Sequence, residues 1–452
     1  MSDLLSIGRS GVVAYRAALT AVGENVTNAQ TDGYTRREVT LRESGVATSS
    51  SYQYRASAIF GGAQVSNVQR VYDDYKSSAA RLAVSDAGRS DAKTQWLQTT
   101  ETALNDSDVG LGVKLSGVFT SAESLGTDVN SETGRRTMLT SISDAVEQFH
   151  RTGAALKAAA DGTANAARTT IDGLNGALKA LAQVNIGLRR AANGTAASAQ
   201  LLDQRDTLLK QVSGAVGIDV QLQDDGRASV TLSGSGGLKL VDAQRPDTAF
   251  IGLLQSGDGR LSLVASGLTP ETAIEPQTGS LAGLVDVSNT IASRRSDLDD
   301  IASRFTTQIN TWNKAGIDQN GDPGADLISN GTTALGMTVA TSDLTKVAAA
   351  STTGVSNGNA LALKNYRTPV GSEAHWALLV ATHSQAVASS VSEQSATSAQ
   401  RDGALLAVDE VTGVDLDVEA AQMLRFQQAY TASAKIIQVA RETLQDILGL
   451  IQ

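Results

Sequence analysis

Few residues in this chain have the types and spacing needed for catalysis or metal binding. It contains three histidines and no cysteine, so thiolate nucleophiles, cysteine-ligated zinc and disulfides are excluded. His375 and His383 lie eight residues apart, whereas two ligands on one helix face need a spacing of four. The histidines also fit no Ser-His-Asp set, and no glycine-rich loop follows a strand to cradle a phosphate. The sequence predicts no enzyme and no cofactor.

One segment resembles a calcium loop in part. In "DQNGDPGADLIS" (318–329), Asp318, Asn320 and Asp322 stand at ligand positions. However, Pro323 replaces the glycine that the sharp turn needs, and Ser329 replaces the bidentate glutamate. We interpret the segment as a turn after a long helix and predict no metal site, with weak cation binding as the alternative.

The composition excludes several classes of protein. The net charge is -10 without a basic stripe, which argues against a nucleic-acid partner, because binding to phosphates needs clustered cations. No run of roughly 20 apolar residues is present to span a bilayer, and no cleavable secretory signal is visible. Aromatic residues make up only 4%, which favours thin helix-on-helix packing over one thick core. At 452 residues the chain is long enough for several domains.

The two ends carry the clearest helical patterns. Apolar residues recur at intervals of seven near both termini, and such spacing is typical of helices packed along one another. We therefore predict a two-helix coiled-coil rod formed by the two ends of the chain, with ordinary core helices as the alternative. The repeat positions are Leu5, Val12, Leu19 and Val26 at one end, and Met423, Tyr430, Ile437, Leu444 and Ile451 at the other.

A polar segment, "GENVTNAQTDGYTRREV" (23–39), follows the first helical pattern. Asn25 and Asn28 are suited to ending a helix, because their side chains can satisfy free backbone groups. The Thr-Asp-Gly sequence that follows predicts a turn, and Tyr34 can place its ring against the rod. We interpret this segment as a joint between the rod and the rest of the chain.

The middle of the chain predicts helices interrupted by strands. Leu284, Ile291, Leu298, Phe305 and Trp312 fall at intervals of seven, and residues 374–408 also read as helix. Alternating apolar residues after residue 216, with Asp-Gly turns at 225 and 258, indicate β-strands. The segment "DGTANAART" (161–169) reads as a loop. The predicted fold is mainly α with a small outer β domain at 216–280, a helical domain at 46–215 plus 281–412, and the rod at 1–45 plus 413–452.

The terminal segments resemble those of bacterial flagellar axial proteins. "ALTAVGENVTNAQTDGYTRREV" (18–39) matches the family pattern, except that Asp32 stands where proline is usual, and "FQQAYTASA" (426–434) matches it almost letter for letter. Interior segments such as "LLDQRDTLL" (201–209) and "GSLAGLVDV" (279–287) are more similar to the hook-associated protein 1 family than to other axial proteins. Members of that family are often longer, which implies a reduced outer domain here.

The resemblance implies a structural adaptor that forms a ring between the flagellar hook and the filament. Its implied partners are further copies of the chain, the hook protein, a second junction protein, and an export chaperone at the C-terminal helix. It implies an extracellular protein exported by the type III apparatus without signal cleavage. A hook or flagellin-like filament subunit is the alternative. The expected assembly contacts are Leu5, Val12, Leu19, Val26, Asn25, Asn28, Gly33, Tyr34 and Arg36 in the N-terminal part, and Met423, Phe426, Gln427, Tyr430, Ala434, Ile437, Leu444 and Leu448 in the C-terminal helix.

Overall fold

The two ends of the chain form an antiparallel helix pair in the computed structural model, which describes residues 2–43, 62–234, 237–267 and 270–449. Helix α1 spans Ser2–Asn28 and helix α9 spans Leu416–Gly449. They pack along each other, and the start of α9 lies beside the end of α1. Asp415 caps α9 by accepting hydrogen bonds from the amides of residues 417 and 418. The predicted pairing of the termini is confirmed, and we call this helix pair the rod.

A hairpin connects the rod to the rest of the molecule, which we call the body. Strands β1 (Arg37–Glu43) and β2 (Ala63–Arg70) pair antiparallel, with an irregularity between Thr40 and Leu41. Helix α1 packs against both strands. The hairpin therefore lies against the rod, and β2 leads into the first body helix.

Long helices form the body, and their mutual contacts bury the predicted apolar residues. Helix α2 packs against α6 and α8, and α4 packs against α3, α5 and α6. The residues predicted at intervals of seven, from Leu284 to Trp312, are all buried on α6, which confirms that helix. The helices are α2 (Asp74–Ala103), α3 (Leu111–Leu125), α4 (Glu132–Arg190), α5 (Ala196–Ala215), α6 (Ser280–Lys314), α7 (Gly358–Ala362) and α8 (Ser372–Thr412).

Helix α4 corrects one prediction. It runs for 59 residues without interruption, about 90 Å at 1.5 Å per residue, so the loop predicted at 161–169 is wrong. Alanine-rich sequence has high helix propensity, and Gly162 is tolerated because Trp96 fills the space beside it. A Cβ atom at Gly162 would lie only 2.5 Å from Cη2 of Trp96.

The strands between α5 and α6 form two small antiparallel sheets that pack on helices. Buried residues of the strands share one core with α4 and α5, so the strands do not enclose a core of their own. The turns at Gly226 (φ 81°) and Gly259 (φ 95°) are as predicted. One sheet contains β3 (Ile218–Leu222), β4 (Ala228–Leu232) and β5 (Lys239–Val241), and the other contains β6 (Phe250–Gln255), β7 (Leu261–Ser266) and β8 (Thr272–Ile274). The proposed boundaries of the three parts remain a prediction.

Two asparagines of α4 hold these sheets in place. The Asn175 amide donates to the carbonyl of Ile251 and accepts from its N–H, both at 2.9 Å. Asn185 makes the same pair of bonds with Ala228, also at 2.9 Å. Each amide imitates one residue of a neighbouring strand and satisfies buried backbone groups. Beyond α6, short strands β9 (Gly316–Ile317), β10 (Ile328–Ser329), β11 (Thr338–Val339) and β12 (Ala350–Ser351) complete the described fold.

Candidate functional site

Small residues line the contact between α1 and α9. A Cβ atom at Gly8 would lie 2.6 Å from Cγ1 of Ile437, and one at Gly11 would lie 2.5 Å from Oγ of Ser433. Ala14 and Ala18 are also fully buried. The rings of Tyr15 and Phe426 meet further along, with centroids 6.4 Å apart. The two helices approach closely because glycine and alanine leave room between their backbones.

The most buried line of each helix differs from the predicted one. On α1 it includes Gly11, Ala18 and Asn25, and on α9 it includes Glu419, Ser433 and Ala440. The interval of seven is confirmed, but the apolar pattern selected neighbouring positions. Of the predicted residues, Leu5, Val12, Leu19, Met423, Phe426 and Ile437 are half-buried, while Val26, Gln427, Tyr430, Ala434 and Leu444 are exposed. The side chains of Leu448 and Ile451 lie outside the described residues. The role of these residues in contacts between subunits remains a prediction.

Asn25 is the central residue of the joint. It is 1% exposed, and its amide group donates to the carbonyl of Arg37 at 2.9 Å and to Oε2 of Glu419 at 3.0 Å. Its Oδ1 accepts from the hydroxyl of Tyr34 at 2.8 Å and from the N–H of Arg37 at 2.9 Å. Both amide hydrogens and the oxygen are thus used. One side chain ties the end of α1 to the turn, to β1 and to α9.

Glu419 brings a buried carboxylate to the same place. Its side chain is 0% exposed, and besides Asn25 it accepts from Nε of Arg36 at 2.8 Å. The N–H of Arg36 donates to the carbonyl of Thr412 at 2.9 Å, at the end of α8. A buried charge is tolerated only when it is paired and hydrogen-bonded, and both conditions hold here.

The remaining charges of the joint connect the hairpin to α5. Arg37 pairs with Glu24 of α1 and lies 3.7 Å from Asp203 of α5. Arg70 of β2 pairs with the same Asp203 at 3.0 Å and also with Asp206. Burial raises the pKa of Asp203, and the Arg70 charge opposes that rise. The two arginines therefore converge on one half-buried carboxylate.

Arg205 lies between Asp203 and Asp206 in the chain. It is buried and holds the carboxylate of Asp206 in place. It pairs with that carboxylate at 2.7 Å and donates to the carbonyl of Gly226 at 2.6 Å. In all, four arginines (36, 37, 70 and 205) face four carboxylates (24, 203, 206 and 419) at the joint, so the charges of these eight residues balance.

The turn of the joint has the predicted form. The N–H of Tyr34 donates to the carbonyl of Thr31 at 3.1 Å, and Gly33 has φ 78°. A Cβ atom at Gly33 would lie 2.6 Å from Oγ1 of Thr207 on α5, so glycine is needed for both reasons. Burial raises the pKa of Tyr34 to about 12, and its hydroxyl therefore stays a hydrogen-bond donor. Asn28, by contrast, donates within α1, to the carbonyl of Glu24 at 2.9 Å.

Several joint residues were absent from the sequence-based site. Glu24 and Arg37 belong to the polar segment 23–39, whereas Arg70, Asp203 and Asp206 lie far from it in the chain, and their spacing gives no sign that they meet it. One signal was available: the "LLDQRDTLL" segment (201–209) stood out as specific to the resembled family, and Asp203 and Asp206 belong to it.

The other candidate sites have structural explanations. Burial alone would raise the pKa of Asp318, but hydrogen bonds from the amides of Asp322 and Asn320 and from Lys346 outweigh burial and lower that pKa. The Lys346 ammonium lies 3.1 Å from Oδ2 of Asp318, so a lysine supplies the positive charge beside this carboxylate. His375 and His383 each bond a backbone carbonyl at 3.0 Å. Within the residues that the structure describes, no group of three or more His, Asp or Glu side chains is placed to hold a metal ion.

Comparisons with known proteins agree with this architecture. The chain is 26% identical to flagellar hook-associated protein 1 of Bacillus subtilis, over 98% of this chain and 97% of that protein. It is 26% identical to the protein of the same name from Escherichia coli, over 73% of this chain, and spans only 60% of that relative. The solved structure of the flagellar hook junction protein FlgK from Burkholderia pseudomallei has a similar fold, with TM-score 0.66 and 13% identity, over 74% of this chain and 100% of that one.

Two family models match parts of the chain. Residues 403–450 match the model of the C-terminal part of flagellar basal body rod FlgEFG proteins, which includes α9. Residues 97–328 match the model described as the flagellar hook-associated protein FlgK helical domain. Because that second match covers more than half of the 452 residues, the chain belongs to the flagellar hook-associated protein FlgK family.

Proposed function

We propose that this chain is a structural adaptor of the bacterial flagellum, and that copies of it form a ring joining the hook to the filament. The observation that carries this proposal is the outer surface of the rod. Val13 and Leu424 are each 61% exposed, and Val439 is 57% exposed. Helices whose inner contact uses glycine and alanine, and whose outer faces carry large apolar side chains, gain stability when those faces are covered by further helices.

A ring satisfies this requirement for every copy at once. Each rod would lie between two others, with its outer apolar residues buried on both sides. The two axial faces of such a ring are heterologous, so they present different surfaces upward and downward. One face would then contact the hook protein and the other a second junction protein. This asymmetry suits a part that joins two different polymers.

The proposal also covers the export chaperone, the location and the partners of the chain. The exposed residues of α9 would need cover before assembly, which an export chaperone at that helix would provide. The proposed location is extracellular, in the flagellum, after export without signal cleavage, and the proposed role is non-enzymatic. We propose no nucleic-acid or membrane partner. Among the helices in the described ranges, none has both the length and the apolar character to cross a bilayer.

Deletion and complementation test the adaptor role. Cells that lack the chain should build hooks but release filament subunits into the medium, and the wild-type gene should restore filaments. Leu424→Glu on the rod should fail to restore them, because a charge would be buried between subunits. The matched control is Leu378→Glu on α8, a residue that is 64% exposed, and it should restore filaments.

Two results would contradict the adaptor role. Attached filaments in the deletion strain would show that the chain is not needed at the junction. Long polymers formed by the purified chain alone would instead support the alternative of a hook or filament subunit.

A further inference from the structure

The rod and hairpin meet the body through polar contacts. Helix α1 packs on α9 and on both hairpin strands, and within the described ranges neither rod helix has an extended contact with α2, α4 or α5. The hairpin reaches the body by a backbone bond from Val68 to Gly194 at 3.0 Å and by its arginine pairs with α5. Among the residues that the structure describes, the buried apolar clusters lie within the body and none joins the two parts.

Open space lies on both sides of the connecting turn. A cleft of about 940 Å³ separates the turn from α4 and α5, and its walls include Glu24, Gln183 and Asp203. A second cavity of about 310 Å³ lies on the opposite side, against α2 and the end of α8. Residues 32–34 line both spaces. The turn therefore meets the body closely at Thr207 of α5, where a Cβ atom at Gly33 would lie 2.6 Å from Oγ1, and it faces open space on either side of that contact.

The charged residues span this loosely packed region. Arg37 lies 5.1 Å from the ring centroid of Tyr34 and bridges Glu24 of the rod to Asp203 of the body. Arg70 reaches Asp203 from the second strand. Asp203 thus receives an arginine from each strand of the hairpin.

We propose that the joint is a hinge whose resting angle is set by the convergence of Arg37 and Arg70 on Asp203. Apolar interfaces resist reorientation because they are closely packed. Ion pairs that cross open space hold the rod and hairpin at one angle to the body. They no longer hold this angle when one charged partner is removed. The rod and hairpin then move together against the body, with residues 71–73, between β2 and α2, and residues 412–416, between α8 and α9, as the two connections. This inference concerns a single chain and does not depend on the proposed ring.

Distance measurements between paired spin labels test the hinge in the full chain. The sequence has no cysteine, so Lys179→Cys on α4 and Lys435→Cys on α9, both exposed, give one label on each side. We expect a narrow distance distribution for the otherwise unchanged chain. Asp203→Asn should broaden it at least twofold, because both arginines lose their shared partner.

Matched variants separate the hinge from general damage. Asp172→Asn, an exposed residue of α4, removes the same charge and should leave the distribution unchanged. Arg37→Gln removes the contact with Asp203 from the hairpin side and should broaden the distance distribution as well. Hydrogen exchange of α1 and α9 should stay within twofold in all three variants, since the rod itself remains folded.

Three results would overturn the proposal. The first is a distribution in Asp203→Asn or Arg37→Gln as narrow as that of the unchanged chain. The second is equal broadening in Asp172→Asn. The third is a distribution that is already broad before any charge is removed, because the resting angle would then have no fixed value.

Discussion

Replacing Asn25 with alanine should open the base of the rod. The side chain makes four hydrogen bonds, two as donor and two as acceptor. At about 1 kcal/mol for each bond, the loss is about 4 kcal/mol, and somewhat less if the bonds are coupled and therefore not additive. Alanine also leaves the Glu419 carboxylate without one of its two partners in a fully buried position.

Hydrogen exchange is the suitable assay, because a chain of several structural units does not unfold in one step. The three tryptophans lie at 96, 312 and 376, all in the body, so their fluorescence does not report on the rod. A loss of about 3–4 kcal/mol corresponds to a local opening equilibrium that is a few hundredfold more favourable. Amides around residues 20–28 and 416–424 should therefore exchange a few hundred times faster.

Asn28→Ala is the matched control for this prediction. Asn28 lies three residues further along α1, where its amide donates to the carbonyl of Glu24 and its Oδ1 accepts from the Thr31 hydroxyl at 3.3 Å. Both partners lie within four residues of it in the chain, so exchange should change less than about fivefold. The reasoning would be refuted if Asn25→Ala behaved like Asn28→Ala, or if exchange rose equally throughout the body.

Three further predictions concern packing, turn geometry and pH. Gly8→Val should destabilise the α1–α9 contact by about 1–3 kcal/mol, because the added carbons meet Ile437. Hydrogen exchange should become faster in both helices, and unchanged exchange would show that the helices are further apart. Gly33→Ala should lower the denaturation midpoint of the rod and joint, because Gly33 has a φ of 78° and contacts Thr207. Circular dichroism measures this midpoint, and an unchanged value would contradict the prediction. Burial lowers the pKa of His383 below its usual 6.5, so the body should lose stability as pH falls below 6.5, by at most about 1.4 kcal/mol per pH unit. Urea midpoints by tryptophan fluorescence at pH 7.0 and 5.5 should show this loss, which His383→Gln should reduce; an equal loss in both would rule out His383 as the cause.

The sign of the His383 effect follows from its surroundings. The imidazole is buried and donates from Nε2 to the carbonyl of Leu97, and no described residue offers a hydrogen-bond partner to its Nδ1. The folded chain therefore favours the neutral ring, and the unfolded chain binds the proton more readily. Stability is fully present above the unfolded pKa and is lost as pH falls toward the lower folded pKa.

Local pattern was enough to predict most of the long helices, two turns of the sheets and the pairing of the chain ends. Apolar spacing placed α6 correctly, and the Asp-Gly sequences placed two turns of the sheets. The same method failed for α4 because glycine and asparagine were taken as breakers at 161–169. Gly162 in fact lies under Trp96, a contact between distant residues that no local pattern contains.

The joint shows a second reason for failure. Asn25 and Glu419 meet across 394 positions of sequence, and Asp203 reaches both hairpin strands from the body. Pairings of charged residues at such separations depend on the folded arrangement and not on spacing. The seam of the rod was displaced for a related reason: Gly11 makes a close contact with Ser433, yet glycine carries no apolar signal in a sequence pattern.

Electron cryo-microscopy of the intact hook–filament junction would show directly whether the rods of this chain pack into a ring. We predict a closed ring in which α1 and α9 of each copy stay paired, with Val13 and Leu424 buried against neighbouring copies. A junction in which the two helices are separated, or in which their outer apolar residues face solvent, would contradict it.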